Sequence, residues 1–291
     1  MLSLHTNNAA LSAQNAIGKT QANLSTAMTR LSTGYRINTA SDDAAGLQIA
    51  TRLKAQTSGM AMAMKNTQNA TSMLQTASGA FNEVTNMLVR MKDLATQAAD
   101  ASSSEDDKTA MQAEYDALGL ELSNVMNKTT YGGTKLISDS ADATTATLGK
   151  EMIFQIGASD SETMKINVSA ALTELTTALG NATSNYTTEA TGAELTGDGT
   201  ASTAITNLTD AIDKLGTVNS ALGATINRLD HINSNLSNIS TNTESASGRI
   251  MDTDFATESA NMTSNQMLLQ AGTAMLKQSN SMSSLVMSLL Q

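Results

Sequence analysis

Two stretches at opposite ends of the chain carry the same apolar rhythm, and this constrains the fold more than any other feature. Near the start Ala10, Gln14, Ile17, Gln21, Leu24, Met28 and Leu31 recur at alternating steps of three and four, and at the end Leu268, Ala271, Met275, Gln278, Met282, Leu285 and Leu289 do the same. A period near 3.5 residues lines such positions along one side of a helix, where they pack against another helix. Polar Ser, Thr, Asn and Gln interrupt both stretches, and neither approaches the roughly 18 consecutive apolar residues of a membrane span. The expected destination is a partner helix.

Composition favours long helices. The 291 residues contain no proline, so nothing along the chain forbids an uninterrupted helix. With three Phe, four Tyr and no Trp, the interior must be filled by Ala, Leu, Ile and Met, which suits thin helical bundles better than a broad globule. The predicted fold class is therefore mainly α: an elongated antiparallel helical bundle or coiled coil formed by both chain ends, with a small β-hairpin region in the middle. Lys19, Arg30, Arg36 and Asp42 leave residues 1–42 at a net +2, while residues 251–291 stand at −2 and the middle holds the chain's whole −10. The ends read as interface and the middle as solvated surface. An acidic total argues against nucleic acid, because phosphate binding needs clustered Lys and Arg.

Catalytic chemistry is poorly supplied. There is no cysteine, which removes disulfides, thiolate catalysis and Cys-ligated zinc. The two histidines, His5 and His231, have no metal-ligand spacing around them and read as surface or packing residues, and no His-Glu-X-X-His helix or Gly-rich phosphate loop is present. No cofactor is implied. Asp42-Asp43 precede Ala44-Ala45-Gly46 and read as a helix start rather than a cation site. The N-terminus lacks the basic and apolar regions of a cleavable secretory signal, which points to the cytoplasm or to a dedicated export route.

The middle of the chain resolves into segments by period. Leu74, Ala77, Phe81, Val84, Leu88, Met91, Ala95 and Ala98 form a seam within a helix from about residue 44 to 100, which would span roughly 85 Å. Ser104, three residues before Asp107, predicts the cap of a shorter helix over about 105–128. Tyr131-Gly132-Gly133 before Leu136-Ile137 reads as a turn into a strand, and Met152–Ile156 with Thr163–Val168 as a β-hairpin within about 147–170. Residues 180–202 carry few large apolar groups and are expected to be a short variable surface loop. Helix resumes at about 203, where Leu222, Ile226, Leu229, Ile232, Leu236, Ile239, Thr243, Ala246 and Ile250 keep the rhythm. The predicted domains are 1–43 with 251–291 as a terminal coiled coil and 44–179 with 203–250 as a second helical body. A chain that leaves and returns brings its termini together, and polar seams too weak to fold alone suit a subunit completed by its neighbours.

Particular residues then resemble a known family. Arg30-Leu-Ser-Thr-Gly-Tyr-Arg-Ile-Asn-Thr-Ala-Ser-Asp-Asp-Ala-Ala-Gly46 looks like the N-terminal signature of bacterial flagellins, and Gly248-Arg-Ile-Met-Asp-Thr-Asp-Phe-Ala256, Gln270-Ala-Gly-Thr-Ala-Met-Leu276 and Ser288-Leu-Leu290 resemble the C-terminal one. The resemblance implies a structural subunit, not an enzyme, that is exported unfolded through the flagellar type III apparatus and polymerises outside the cell into a helical filament for motility. Residues 1–43 and 251–291 would line the inner tube and the remaining helices the outer tube. Implied partners are other copies of the subunit, an export chaperone, the hook-filament junction and cap proteins, and, for the free monomer, a host Toll-like receptor. The family's receptor contacts match Arg90, Leu94, Gln97 and Glu114, and the implied self-assembly seams are Ile17, Leu24, Met28, Leu31, Leu268, Met275, Met282, Leu285 and Leu289. Ser283 and Gln291 depart from the family's usual proline and basic residue. A hook-filament junction protein, sharing the terminal seams, and a secreted adhesin or host-signalling ligand are the alternatives.

Overall fold

The computed structural model describes residues 7–137, 145–187, 191–197 and 199–289, with side chains as far as residue 282. In chain order the elements are α1 (Asn8–Thr33), α2 (Ala44–Ala98), α3 (Glu105–Lys128), β1 (Thr130–Tyr131), β2 (Thr134–Lys135), β3 (Met152–Gln155) and β4 (Thr163–Ile166). They continue with α4 (Ser169–Ala182), a 3₁₀ turn at Ser184–Tyr186, α5 (Thr200–Met251) and α6 (Phe255–Leu289). They form two compact units, one of Met1–Thr57 with Thr241–Gln291 and the other of Ser58–Ser240.

The larger unit contains the main core. The seam read from sequence on α2 is its spine: Leu74, Ala77, Phe81, Val84, Leu88, Met91, Ala95 and Ala98 are all buried. Facing positions come from Tyr115, Leu122 and Met126 of α3, Leu172, Leu175 and Leu179 of α4, and Leu208, Leu215, Val218, Leu222 and Leu229 of α5. On α5 Thr225 is buried and Ile226 packs part-buried against the core beside it, while Ile239 is exposed. The α3 start is a capping box: Ser104 Oγ accepts from the Asp107 N–H at 3.2 Å, and Asp107 Oδ2 accepts from the Ser104 N–H at 3.1 Å. The Ser104 hydroxyl, donating to Asp107 Oδ2 at 2.6 Å, and then the Ser104 N–H hold the Asp107 carboxyl below its ordinary value.

Both hairpins fall in the middle. β3 and β4 pair antiparallel with Met152 opposite Ile166 and Gln155 opposite Thr163. β1 and β2 are joined by Gly132 (φ 58°) and Gly133 (φ 83°), the positive-φ pair that a two-residue hairpin turn requires. The strand ends at Lys135, and Leu136 and Ile137 go straight into the core.

Two expectations change. A helix, α4, follows the second hairpin where none was anticipated, and the 180–202 segment is more than a surface loop. Ala182, Thr183, Asn185, Tyr186 and Leu195 are buried, and polar side chains fasten the segment to α3. Glu194 accepts from Gln112 Nε2 (2.9 Å), the Ser184 N–H (2.8 Å) and the Ser184 hydroxyl (2.9 Å). Asp116 accepts from Gln112, Asn185 and the Gly192 N–H, and Gln112 Oε1 accepts from the Leu195 N–H at 2.7 Å. Beneath them the Tyr115 hydroxyl donates to the Ala182 carbonyl at 2.6 Å. Burial pushes the Tyr115 phenol up, with Glu194 and Asp116 adding to it.

Candidate functional site

The smaller unit is an antiparallel pair of terminal helices with a corner at one end. Asn7 caps α1 by accepting from the Ala10 N–H at 3.1 Å and donates to the Ser279 carbonyl of α6 at 3.2 Å. Halfway along, a Cβ placed on Gly272 would sit 2.9 Å from Ile17 Cγ1, so the two backbones approach more closely than any larger residue allows. At the far end Arg30 stands 3.8 Å from Glu258. α1 stops at Gly34, left-handed at φ 76°, whose N–H reaches the Arg30 carbonyl, the usual glycine device for ending a helix.

The corner joins the two chain ends by backbone. The Arg36 N–H donates to the Met251 carbonyl, the Thr253 N–H to the Gly34 carbonyl at 3.0 Å, and Tyr35 pairs with Asp252 as an antiparallel bridge. Asp43 starts α2 by accepting from the Gly46 N–H at 2.8 Å, and Asp42 holds the preceding turn by accepting from Asn38 and Thr39. These bonds, chiefly those from Thr39, lower the Asp42 pKa. Asp254 likewise caps α6 through Ala256 and Thr257, and its carboxyl is also lowered. The acidic pair thus serves as a helix start, as its sequence implies, and the signature segments 30–46 and 248–256 are the two halves of one corner.

On α1 every other position of the seam read in sequence turns inward, whereas on α6 the inward row lies one step from the one read. On α1 the inward, part-buried positions are Ala10, Ala13, Ile17, Thr20, Leu24, Ala27 and Leu31. Ile17, Leu24 and Leu31 face α6, but Gln14, Gln21 and Met28 are displaced by smaller neighbours. On α6 the inward positions are Glu258, Met262, Asn265, Leu269, Gly272, Leu276 and Ser279. Leu268, Met275 and Met282, with Ala271 and Gln278, form the adjoining stripe, which is bare: the three large residues are 56%, 68% and 58% exposed. Met28 on α1 is similarly open. The cause is volume. Gly272, Ala13 and Ala27 let the helices close, and the bulkier stripe is left outside. Leu285 and Leu289 lie outside the residues whose side chains are described.

The four residues matched to receptor contact sit on α2 and α3 of the larger unit. Arg90 Nη2 and Nε meet Glu114 Oε1 at 2.7 and 2.8 Å, with both side chains about half exposed. Gln97 is exposed at the next-to-last position of α2, where its carbonyl accepts from Ser103 Oγ at 2.8 Å. Leu94 does not join them at the surface: it is 3% exposed and part of the core, because its place on α2 falls beside the Met91–Ala95 seam. Sequence reasoning missed the Gln112–Asp116–Glu194 network, whose only signal was the carboxylates and amides at helical spacing on α3.

Among the described residues no helix is long and apolar enough to cross a membrane, and no group of His, Asp and Glu is arranged to hold a metal ion. His231 is exposed on α5.

Comparison with known proteins agrees with this arrangement of ends. Residues 4–142 match the family model for the bacterial flagellin N-terminal helical region, and residues 205–290 the one for the C-terminal helical region. The chain is 34% identical to a flagellin of Halalkalibacterium halodurans over 91% of each chain. It is 30% identical to flagellin A of Vibrio cholerae over the full length of both. Among solved structures, that of a putative flagellar hook-associated protein from Vibrio parahaemolyticus covers 72% of this chain and all of its own at a TM-score of 0.56 and 17% identity, a likeness of fold alone.

Proposed function

Because the chain belongs to the bacterial flagellin family, a family of exported structural proteins that polymerise into the extracellular flagellar filament, we propose that it joins that filament through the bare stripe of its terminal helices. The observation that carries this is the division of labour on α6: Leu269, Gly272 and Leu276 face α1, while Leu268, Met275 and Met282 face away from it. A protein that had only to fold its ends together would leave polar groups outside. Three large apolar side chains in a row on a solvent-facing helix instead fit burial by a neighbouring copy. Residues 1–43 with 251–291 would then form the inner tube, and 44–179 with 203–250 the outer one.

Replacing Leu268 and Met282 together by Asp tests this. In the monomer both carboxylates are solvated, so the circular dichroism spectrum stays as in the parent. In an apolar contact between copies an unpaired charge costs several kcal/mol, so seeded elongation stops. Normal filaments from the double variant would overturn the reading.

The free monomer also fits recognition by a host Toll-like receptor, through the exposed Arg90–Glu114 pair bridging α2 and α3 with Gln97 nearby. Leu94 would support that surface from beneath rather than touch the receptor. The export chaperone, the hook-filament junction and the cap are further partners that the family resemblance implies.

A further inference from the structure

Sulfur stands on the bare face of the terminal helices as well as in the core. Met267, Met275 and Met282 stand exposed on α6 and Met28 on α1, whereas Met91, Met126 and Met164 are sealed in the core. The chain has 18 Met and no Cys, so its thioethers are the only sulfur an oxidant meets. Leu serves an apolar contact as well as Met does, and what Met adds is a flexible, polarisable and oxidisable sulfur. Met275 and Met282 are seven residues apart and share the Leu268 stripe, with Met267 beside it.

We propose that Met28, Met267, Met275 and Met282 are reversible oxidation sites at which a peroxide converts the free subunit into a form unable to join the filament, a role that rests on the assembly function of that stripe. The thioether sulfur attacks one oxygen of hydrogen peroxide. The S–O bond forms as the O–O bond breaks, and the proton on the transferred oxygen passes to the departing hydroxide, which leaves as water. Sulfur loses two electrons and the peroxide gains them, with no metal or protein base required. The sulfoxide is polar and chiral. It is solvated without penalty on the isolated helix, but burying it against an apolar partner leaves a strong acceptor unpaired. Once assembled, the same sulfurs are covered, so oxidation selects against free subunits and spares filament already built. A dithiol with methionine sulfoxide reductases of both epimer specificities returns the thioether, giving disulfide and water.

The experiment treats monomer and preformed filament with hydrogen peroxide, maps sulfoxide by peptide mass spectrometry and follows seeded elongation. In the monomer the four exposed methionines oxidise at least tenfold faster than Met91, Met126 and Met164, and in the filament that advantage is lost. Treated wild type elongates at least tenfold more slowly than untreated, and the reductases restore it. A variant with all four changed to Leu, compared with its own untreated sample, loses less than twofold, whereas Met62→Leu, altering an exposed methionine of the other unit, stays as sensitive as wild type. Elongation at the untreated rate by protein with sulfoxide mapped at the four positions overturns the proposal, as does full peroxide sensitivity of the four-Leu variant. Met275→Asp without peroxide separates the two possible failures. If it blocks elongation while the sulfoxides do not, only the oxidation switch is wrong; if it elongates normally, the stripe is not an assembly surface and both fall.

Discussion

Gly272 offers a place where two known effects oppose each other and the geometry decides between them. In a helix interior, glycine is destabilising by about 0.5–1 kcal/mol relative to alanine, so Gly272→Ala taken alone should stabilise α6. Its new Cβ, however, would lie 2.9 Å from Ile17 Cγ1 and 3.6 Å from Cδ1, where carbon atoms normally rest about 3.5–4.0 Å apart. Cγ1 is bonded directly to Cβ of a β-branched residue, which in a helix has essentially one χ1 rotamer, so the side chain cannot swing aside and the helices must part. Overpacking of this kind costs about 1–3 kcal/mol, and it prevails. The expected net effect is a loss of about 1 kcal/mol, or roughly fivefold in the opening equilibrium of the pair. Ile17→Ala removes the obstructing carbon, so in the Ile17→Ala background the same change at Gly272 becomes stabilising, with a coupling of at least about 1 kcal/mol between the two positions. Hydrogen exchange of the α1 and α6 amides in the monomer, read by mass spectrometry, measures all four corners of the cycle. Exchange that slows in Gly272→Ala with Ile17 intact, or a coupling under about 0.3 kcal/mol, would refute the claim that Gly272 is there to let α1 approach.

Two further outcomes follow from the larger unit. Arg90→Ala with Glu114→Ala removes an ion pair whose partners are about half exposed, so stability changes by less than about 1 kcal/mol, yet signalling by the monomer through a Toll-like receptor reporter should fall at least tenfold; an unchanged dose-response removes both residues from the contact. Glu194 is subject to burial, which raises its pKa, but the bonds from Ser184 and Gln112 outweigh that and leave it lowered. A lowered carboxyl stabilises the fold at neutral pH and loses that contribution as pH falls through its depressed value. Glu194→Gln should therefore destabilise the unit at pH 7 and flatten its acid limb in urea titrations at stepped pH, and an acid limb identical to wild type would show that Glu194 is not a linked group.

What could be read from the sequence depended on whether one stripe or two satisfied the same rhythm. On α2 the single apolar row from Leu74 to Ala98 is buried at every member. Ser104 with Asp107, and the Gly132-Gly133 turn, were legible because each answers a local backbone need that few residues meet. The terminal helices are different. On α6 the row Leu269, Gly272, Leu276 and the row Leu268, Met275, Met282 both keep a period near 3.5, and hydrophobicity favours the second. The structure pairs α1 with the first, because contact between helices rewards close approach and Gly272 permits it, a property of shape that an apolar tally does not contain. The 180–202 segment hides for a related reason. Its anchorage is by amides and carboxylates, Gln112 to Leu195 and Glu194 to Ser184, groups that count as surface until they are seen to satisfy one another. Leu94 shows the converse: a resemblance can place a residue in a functional set, but only packing says whether its side chain reaches the solvent. The Leu268, Met275 and Met282 row, which the sequence offers as a self-assembly seam, is left bare by the fold, and for that reason it is the row we propose a second copy covers.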